Sequence, residues 1–139
     1  MATTITKYTS YDQYVHDGTI DLDATNIYLA LVTSSYTFSA AHTVWADASA
    51  NEVANGDGYT TGGAQLTNTV DTAKWYAADI AWTGLTKTFR AGILYVNATV
   101  NSIVKPLIGY ILFDSTPANI SIAGGTFTVQ WNVIGIVTF

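Results

Sequence analysis

The sequence predicts a mostly β protein: an antiparallel β-sandwich of jelly-roll type or a partly closed barrel, with one or two short helices. Three observations favour this class. Apolar and polar residues alternate with period two in the second half of the chain, most clearly over Thr126–Trp131. There Phe127, Val129 and Trp131 are predicted to lie buried on one face, and Thr126, Thr128 and Gln130 to lie on the other. Glycine, asparagine and proline separate these runs at spacings typical of strand connections. Helical periods do not intervene between the runs, so a parallel sheet with crossover helices is not expected.

The first part of the chain mixes extended and helical patterns. Met1–Thr9 is rich in threonine and is predicted to be an extended N-terminal arm. Ser10 is a suitable N-cap for a short helix over Tyr11–Asp17, and Gly18 stands where such a helix ends. Its buried stripe would be Tyr11, Tyr14 and Val15. The predicted strands are Asn26–Val32, Ala64–Val70, Ala73–Ile80, Thr86–Val96, Pro106–Asp114, Thr126–Asn132 and Val133–Phe139.

A glycine-rich stretch, Asn51–Leu66, separates the mixed first part from the alternating second part. It holds Asn55-Gly56-Asp57-Gly58 and the pair Gly62-Gly63. Asn-Gly and Asp-Gly adopt positive φ at little cost, so they are strong turn signals. We interpret the stretch as the corner through which the chain enters its main sheet. Turns are also predicted at Asp71-Thr72, Thr83-Gly84, 97–101, 115–119 and Gly124-Gly125.

Length and composition bound the class of protein. A chain of 139 residues with 49% hydrophobic residues is expected to fold as one domain, 1–139, around its own core. It has no apolar run of the roughly 18 residues that a bilayer span needs, and no apolar stretch typical of a secretory signal. The absence of cysteine excludes disulfides and cysteine-ligated zinc, and fits synthesis in a reducing cytoplasm.

The most informative compositional feature is the scarcity of charge. Charged residues make up 11% of the chain, against about 25% in an average protein. From Ala91 to Phe139 the only charged side chains are Lys105 and Asp114, whereas threonine occupies 22 positions of the whole chain. A soluble monomer normally keeps a mixed charged surface, so this pattern favours a surface that other protein covers. The five basic residues are scattered, which argues against nucleic-acid binding.

Catalytic and metal-binding patterns are missing. His16 and His42 are the only histidines, and neither has a nucleophile or an orienting acid in a recognisable local pattern. The early acids Asp12, Asp17, Asp21 and Asp23 lack the spacing of an EF-hand loop. We therefore expect no enzyme activity, no cofactor and no required metal. Among the four tryptophans, Trp45 is the best candidate for an exposed binding residue because it lies outside a clear strand.

An ordered set of short segments resembles a group of small virion structural proteins of tailed bacteriophages. The segments span nearly the whole chain, from about Tyr11 to Phe139. They are Ile27–Tyr36, Ala48–Val53, Gly58–Gly63, Ala78–Trp82, Pro106–Tyr110 and Gly125–Trp131. The resemblance implies a capsid cement (decoration) protein in the virion, made in the host bacterial cytoplasm. A tail, collar or fibre component that contacts other tail proteins or the host surface is the alternative. It implies no catalytic residues.

The implied partners are the major capsid protein and copies of this chain in a homo-oligomer, with no nucleic acid and no membrane. Such a protein binds through polar-neutral and apolar surface, and an extended arm can add a strand to a neighbour. The predicted interface residues are therefore Thr3, Thr4, Ile5 and Tyr8 of the arm, with Trp45 at the centre of a second surface.

Overall fold

The strands are short, antiparallel and joined mainly by tight turns, as the alternating pattern predicts. The computed structural model describes residues 4–23, 26–71, 74–114 and 118–131. One helix, α1, spans Thr9–His16. The strands are β1 Thr4–Lys7, β2 Ile27–Val32, β3 Ala64–Gln65, β4 Asn68–Asp71, β5 Lys74–Ala77, β6 Ile80–Phe89, β7 Ala91–Val96, β8 Thr99–Val100, β9 Ile103–Val104, β10 Leu107–Leu112 and β11 Ile120–Val129. Of the described residues, 49% lie in strands and 12% are helical, so the predicted mostly β class is confirmed.

A five-stranded antiparallel sheet forms the centre, in the order β1-β10-β7-β2-β3. Strands β6 and β11 pair with each other in a separate two-stranded ribbon, and β4–β5 and β8–β9 are short hairpins. The described strands do not close into a barrel. The arrangement is sandwich-like, with the ribbon packed over one face of the central sheet.

The central strands are buried on both faces, which explains their near-continuous apolar sequence. In β2, Leu29 and Leu31 pack into the core between the sheet and the ribbon, while Ala30 and Val32 pack on the opposite side. That opposite side is covered by the chain after β2, which includes two single 3-10 turns, Trp45–Asp47 and Ser49–Asn51. β2 is therefore covered on both faces.

The N-terminal residues are part of the central sheet, so the prediction of a separate arm is wrong for the residues that the structure describes. Thr4 pairs with Leu112 and Lys7 with Gly109 of the same chain, which makes β1 an edge strand. Tyr8, which follows β1, is buried. The β-prone composition of this segment indicates an extended conformation, but composition carries no information on which strand it joins.

Helix α1 begins one residue before the predicted N-cap. Tyr8 occupies the N-cap position without a side-chain capping bond, and Gly18, with φ +81°, follows the last turn as predicted. Tyr11 is fully buried, while Tyr14 and Val15 pack against the core, so the predicted stripe is confirmed.

The predicted strand boundaries are wrong where two consecutive strands are both buried, because the apolar sequence continues across the residue that separates them. The predicted strand Thr86–Val96 is two strands in different sheets, β6 and β7, separated by Arg90 alone. The Arg90 N–H donates to the Val32 carbonyl at 2.9 Å, which turns the chain from the ribbon into the central sheet. Because both β6 and β7 contribute to the core, apolar residues continue across the junction between these two strands. The predicted strand Ala64–Val70 likewise divides into two strands, β3 and β4. Val133–Phe139 and the predicted turn residue Thr72 lie outside the described residues.

Two predicted turns are bulges inside the ribbon. Gly84 lies within β6, and Gly124-Gly125 lies within β11, where the pairing register shifts between Ala123 and Phe127. Gly84 and Gly124 have φ values of +60° and +68°, which suit the extra residue of a bulge. β11 is therefore a ten-residue strand rather than a short strand after a turn.

The glycine-rich corner has the predicted backbone but a different place in the chain path. Gly56, Gly58, Gly62 and Gly63 all have positive φ. The corner leads into β3, at one edge of a sheet that β1 and β2 have already joined. It is thus not the entrance to the main sheet; it connects the central sheet to the hairpin and ribbon that follow.

Candidate functional site

The outward-facing side of the β6–β11 ribbon is an exposed surface without charged side chains. Its residues are exposed and none carries a charge, and six of the ten bear a hydroxyl group. We call this surface the uncharged face. It consists of Ala81, Thr83, Gly84, Thr86 and Thr88 from β6 and Ser121, Ala123, Gly124, Thr126 and Thr128 from β11.

Packing on the inner side of the ribbon fixes which residues face outward. Trp82 and Phe127 are cross-strand partners whose rings stack with their centroids 6.1 Å apart. Phe127 also meets Phe89 edge-on at 4.7 Å. Val129 is buried, whereas Phe127 and Trp131 are half-buried against the core. The predicted inward set of Phe127, Val129 and Trp131 is thus confirmed in orientation, with full burial only for Val129.

Hydrogen bonds between the strands order the hydroxyl groups of the uncharged face. Thr88 Oγ1 lies 2.9 Å from Ser121 Oγ across the ribbon, and the Gly124 N–H donates to Thr86 Oγ1 at 3.0 Å. These hydrogen bonds restrict the rotation of Thr86, Thr88 and Ser121. A partner that covers them therefore loses less side-chain entropy than it would on a surface of free lysines or glutamates.

The cation of the ribbon is directed away from the uncharged face. Lys87 is the only charged residue of β6, and β11 has none. Its side chain is 12% exposed, and its Nζ lies 3.8 Å from Asp57 Oδ2 in the glycine-rich corner. Its cross-strand partner is the inward-directed Ile122. The charge that the ribbon does carry is consequently placed on the opposite side from the uncharged face.

The glycine-rich corner covers the edge of β6 that does not pair with β11. The Thr86 N–H donates to the Asp57 carbonyl at 2.9 Å. A Cβ on Gly58 would lie 2.6 Å from the Gly84 carbonyl oxygen, so only glycine permits this approach. The corner is itself held by Glu52, whose Oε1 accepts from the Tyr59 hydroxyl at 2.7 Å and from the Gly62 N–H at 2.6 Å.

A buried chain of hydroxyl groups near the N-terminus is a second candidate, but its chemistry is structural. The Tyr8 and Tyr36 hydroxyl oxygens are 2.8 Å apart, and the Tyr36 hydroxyl lies 2.9 Å from His42 Nδ1. Burial raises the pKa of Tyr8 and that of Tyr36. A raised pKa keeps a phenol neutral, which is the reverse of what an activated tyrosine base needs. The chain of bonds joins the residue after β1 to the segment that covers the central sheet.

The residues predicted to form an interface divide between surface and core. Thr3 lies outside the described residues, and Thr4 enters the sheet through its backbone. Ile5 is 39% exposed, whereas Tyr8 is 1% and Trp45 6% exposed. Trp45 stacks on Tyr95 with ring centroids 4.6 Å apart and planes 6° apart. The prediction that Trp45 is an exposed binding residue is therefore wrong, because a tyrosine from a distant strand covers it.

Two of the four early acids, Asp17 and Asp21, cap local turns. Asp17 Oδ1 accepts from the Thr19 N–H at 3.0 Å, and Asp21 Oδ1 accepts from the Asp23 N–H at 3.0 Å. Hydrogen bonds from Thr19 lower the pKa of Asp17. Within residues 4–23, 26–71, 74–114 and 118–131, no group of three or more histidines and acids is placed to hold a metal ion. No helix of that same portion is both long and apolar enough to cross a membrane.

The uncharged face was only partly visible in the sequence. The alternation over Thr126–Trp131 correctly placed Thr126, Thr128 and Gln130 on one side. The β6 half was missed because Thr83-Gly84 reads as a turn. A signal was nevertheless present, since Thr83, Thr86 and Thr88 stand between apolar residues with a single lysine among them.

No family model, no curated protein and no solved structure matches the chain.

Proposed function

We propose that this chain is a structural protein of a tailed-phage virion, a decoration protein that binds capsid subunits through the uncharged face. The observation that carries the proposal is the ten exposed, uncharged residues on a rigid two-stranded ribbon. The resemblance of the ordered sequence segments to small phage virion proteins supplies the biological setting. A tail, collar or fibre component is the second candidate, because the same surface suits any permanent protein contact.

Desolvation energetics support a protein partner for this face. Burying an unpaired charge is far more costly than burying a hydroxyl that keeps a hydrogen bond. On the uncharged face, Thr86, Thr88 and Ser121 already have partners within the ribbon. A partner can therefore cover them without burying a charge, and each of the three hydroxyl groups keeps the hydrogen bond that it already makes.

The size of the face limits what one copy can do. Two paired strands of ten residues form a surface about 34 Å long and about 10 Å wide, or roughly 330 Å². A specific interface of standard size buries about 800 Å² on each partner. One uncharged face is therefore too small for tight binding alone. Decoration of a shell fits this limit, because copies bound side by side add their contacts.

The test is the copy number and location of the chain in particles of the phage whose genome encodes it. Quantitative mass spectrometry of purified particles, normalised to the major capsid protein, gives the number of copies. Decoration predicts a number comparable to that of the capsid subunits, with immunogold label spread over the head. Label confined to the tail or the portal vertex would favour the second candidate. Absence from particles would overturn both.

A charge placed on the uncharged face tests the surface itself. Ala81→Lys puts an ammonium group in the face, while Ala54→Lys makes the same change at an exposed position in the glycine-rich corner. We expect Ala81→Lys to lower incorporation into particles at least about tenfold, which corresponds to about 1.4 kcal/mol, because the buried charge finds no partner. Ala54→Lys should incorporate like the unchanged protein. Equal incorporation of the two variants would show that the uncharged face does not bind the shell.

A further inference from the structure

The outer edge of β11 is the longest open strand edge in the described structure. β11 pairs with β6 on one side, and no described segment pairs with its other side. The ten residues of β11 include no charge and no proline. Strand edges that avoid pairing are usually short, charged, proline-containing or covered. β11 has only one such feature, the bulge at Gly124-Gly125.

The other edges of the described sheets are blunted. β3 is only two residues long, and β1 has four residues, one of which is Lys7. The hairpin strands β4 and β5 have only four residues each. The free edge of β6 is occupied by the glycine-rich corner through the bond from Thr86 to Asp57. Of the described strand edges, that of β11 is therefore the most accessible to backbone pairing with another strand.

The hydrogen-bonding groups of β11 that face this edge follow from the ladder. The Thr86 N–H points away from β11, since it donates to Asp57, and Thr86 stands opposite Ala123. In an antiparallel ladder such a pair exchanges no backbone bonds, so the N–H and C=O of Ala123 point away from β6. Ser121, two residues earlier on the same side of the bulge, is oriented in the same way. At least two residues of β11 therefore present both backbone groups to the open edge.

We propose that β11 pairs antiparallel with β11 of a second copy of this chain. The two ribbons then form one continuous four-stranded sheet about a two-fold axis perpendicular to it. A second copy suits this edge because its own β11 is an ordered strand whose open groups are the same, so each edge satisfies the other. The strand carries no charge, so two copies meet without like-charge repulsion.

The pairing also doubles the uncharged area that a partner can contact. Because the two-fold axis is perpendicular to the sheet, both uncharged faces lie on the same side. The joined surface measures roughly 650 Å², close to the about 800 Å² per partner of a standard interface. This step rests on the proposed function, whereas the pairing of β11 with β11 does not.

Single cysteines test the pairing in the natural chain, which has none of its own. We would place cysteine at each of the ten positions of β11 in turn, with Ala81 of β6 as the control. In an antiparallel pair about a two-fold axis, a residue two positions from the axis is about 14 Å from its own copy. Disulfides need Cα atoms within about 7 Å. Mild oxidation should therefore cross-link the one position of β11 that lies at the axis and leave Ala81→Cys monomeric.

Uniform cross-linking along β11, no cross-linking, or cross-linking at Ala81→Cys would overturn the proposal. Uniform cross-linking would indicate parallel or random contact, because only those place every residue near its own copy.

A proline variant tests the backbone contact independently. Ala123→Pro removes an N–H that points to the open edge and leaves the β6 ladder intact. We expect its dimer dissociation constant, measured by sedimentation, to rise at least about tenfold, while its circular dichroism and melting temperature stay close to those of the unchanged chain. If Ala123→Pro fails to fold, Ala123→Lys replaces it, because like charges then meet across the two copies. Dimerisation equal to that of the unchanged chain by the folded variant would overturn the proposal.

The two proposals fail in different experiments. Loss of the dimer in solution follows the β11 variants, and loss of incorporation into particles follows Ala81→Lys. A chain that cross-links at β11 but is absent from particles would retain the pairing and refute the virion function.

Discussion

The pair Gly62 and Gly63 allows a sharp test of how the glycine-rich corner docks on the central sheet. Both residues have positive φ, +95° and +86°, so alanine at either position would be under a similar backbone strain. They differ in what a Cβ would meet. At Gly62 it would lie 3.4 Å from the Tyr95 hydroxyl, while at Gly63 it would lie 2.0 Å from the Leu29 carbonyl oxygen.

The expected costs follow from this difference. Alanine at positive φ costs about 1–2 kcal/mol, which is the whole penalty for Gly62→Ala. For Gly63→Ala the corner must also move back from β2 by about 1.4 Å to restore an ordinary contact. Forcing extra volume into a packed site adds about 1–3 kcal/mol. We therefore expect losses in the free energy of unfolding of about 1–2 kcal/mol for Gly62→Ala and about 2–5 kcal/mol for Gly63→Ala.

Urea unfolding followed by tryptophan fluorescence measures both losses, since the chain has four tryptophans. In thermal unfolding, each kcal/mol corresponds to a fall in Tm of roughly 4 °C for a chain of this size. The displaced corner should also release β3, whose Ala64 pairs with Leu29, so amide exchange at Gln65 should speed up in Gly63→Ala. Equal losses in the two alanine variants would refute the close contact between Gly63 and β2.

Two further predictions concern polar groups that hold the same region. Tyr59→Phe should lower the free energy of unfolding by about 1–3 kcal/mol in urea titrations, because the buried Leu31 N–H loses the hydroxyl that accepts it at 3.1 Å; an unchanged midpoint would contradict this. Asp47→Ala should cost roughly 0.5–1 kcal/mol at pH 7, since the exposed Asp47 carboxylate accepts from the Thr43 and Val44 N–H groups. Those bonds lower the pKa of Asp47, so its stabilisation is present above about pH 4 and fades as the pH falls through the lowered value. Urea titrations at pH 7 and pH 3 that showed the same loss would contradict it.

Local patterns in this chain predict conformation well and pairing poorly. The positive φ of Gly56, Gly58, Gly62 and Gly63 follows from glycine chemistry at turn-prone dipeptides. The buried stripe of α1 follows from residue spacing alone. These features depend on neighbours within a few positions, which the sequence displays directly.

The sequence-based predictions are wrong where a residue distant in sequence determines which of two local conformations forms. Gly84 and Gly124 interrupt strands in a way that suits a turn or a bulge equally, and only the pairing of β6 with β11 selects the bulge. Trp45 has no strand around it, yet Tyr95, fifty positions later, buries it. The break at Arg90 is hidden because both flanking strands are apolar toward the same core.

The position of the candidate site also depends on long-range pairing that local sequence patterns do not show. The scarcity of charge was evident in the composition, but composition does not say where the uncharged residues gather. They gather on one side of the ribbon because the inward positions of β6 and β11 are taken by large apolar side chains such as Trp82 and Phe127. The face is therefore a product of strand pairing, whereas Trp45, which the sequence singles out as exposed, is buried in the folded chain.

The distribution of charge on the folded chain gives the molecule two unlike regions. Four of its ten acidic residues, Asp12, Asp17, Asp21 and Asp23, lie on α1 or in the segment that follows it, and the ribbon has none. With a net charge of −5, two copies repel each other most where their acids face, at separations within about 10 Å in 0.1 M salt. Contact through the uncharged ribbons brings none of these four carboxylates to the contact strands. The dissociation constant of the β11–β11 dimer should therefore change little with salt concentration. An association through α1 would instead tighten markedly as salt is added.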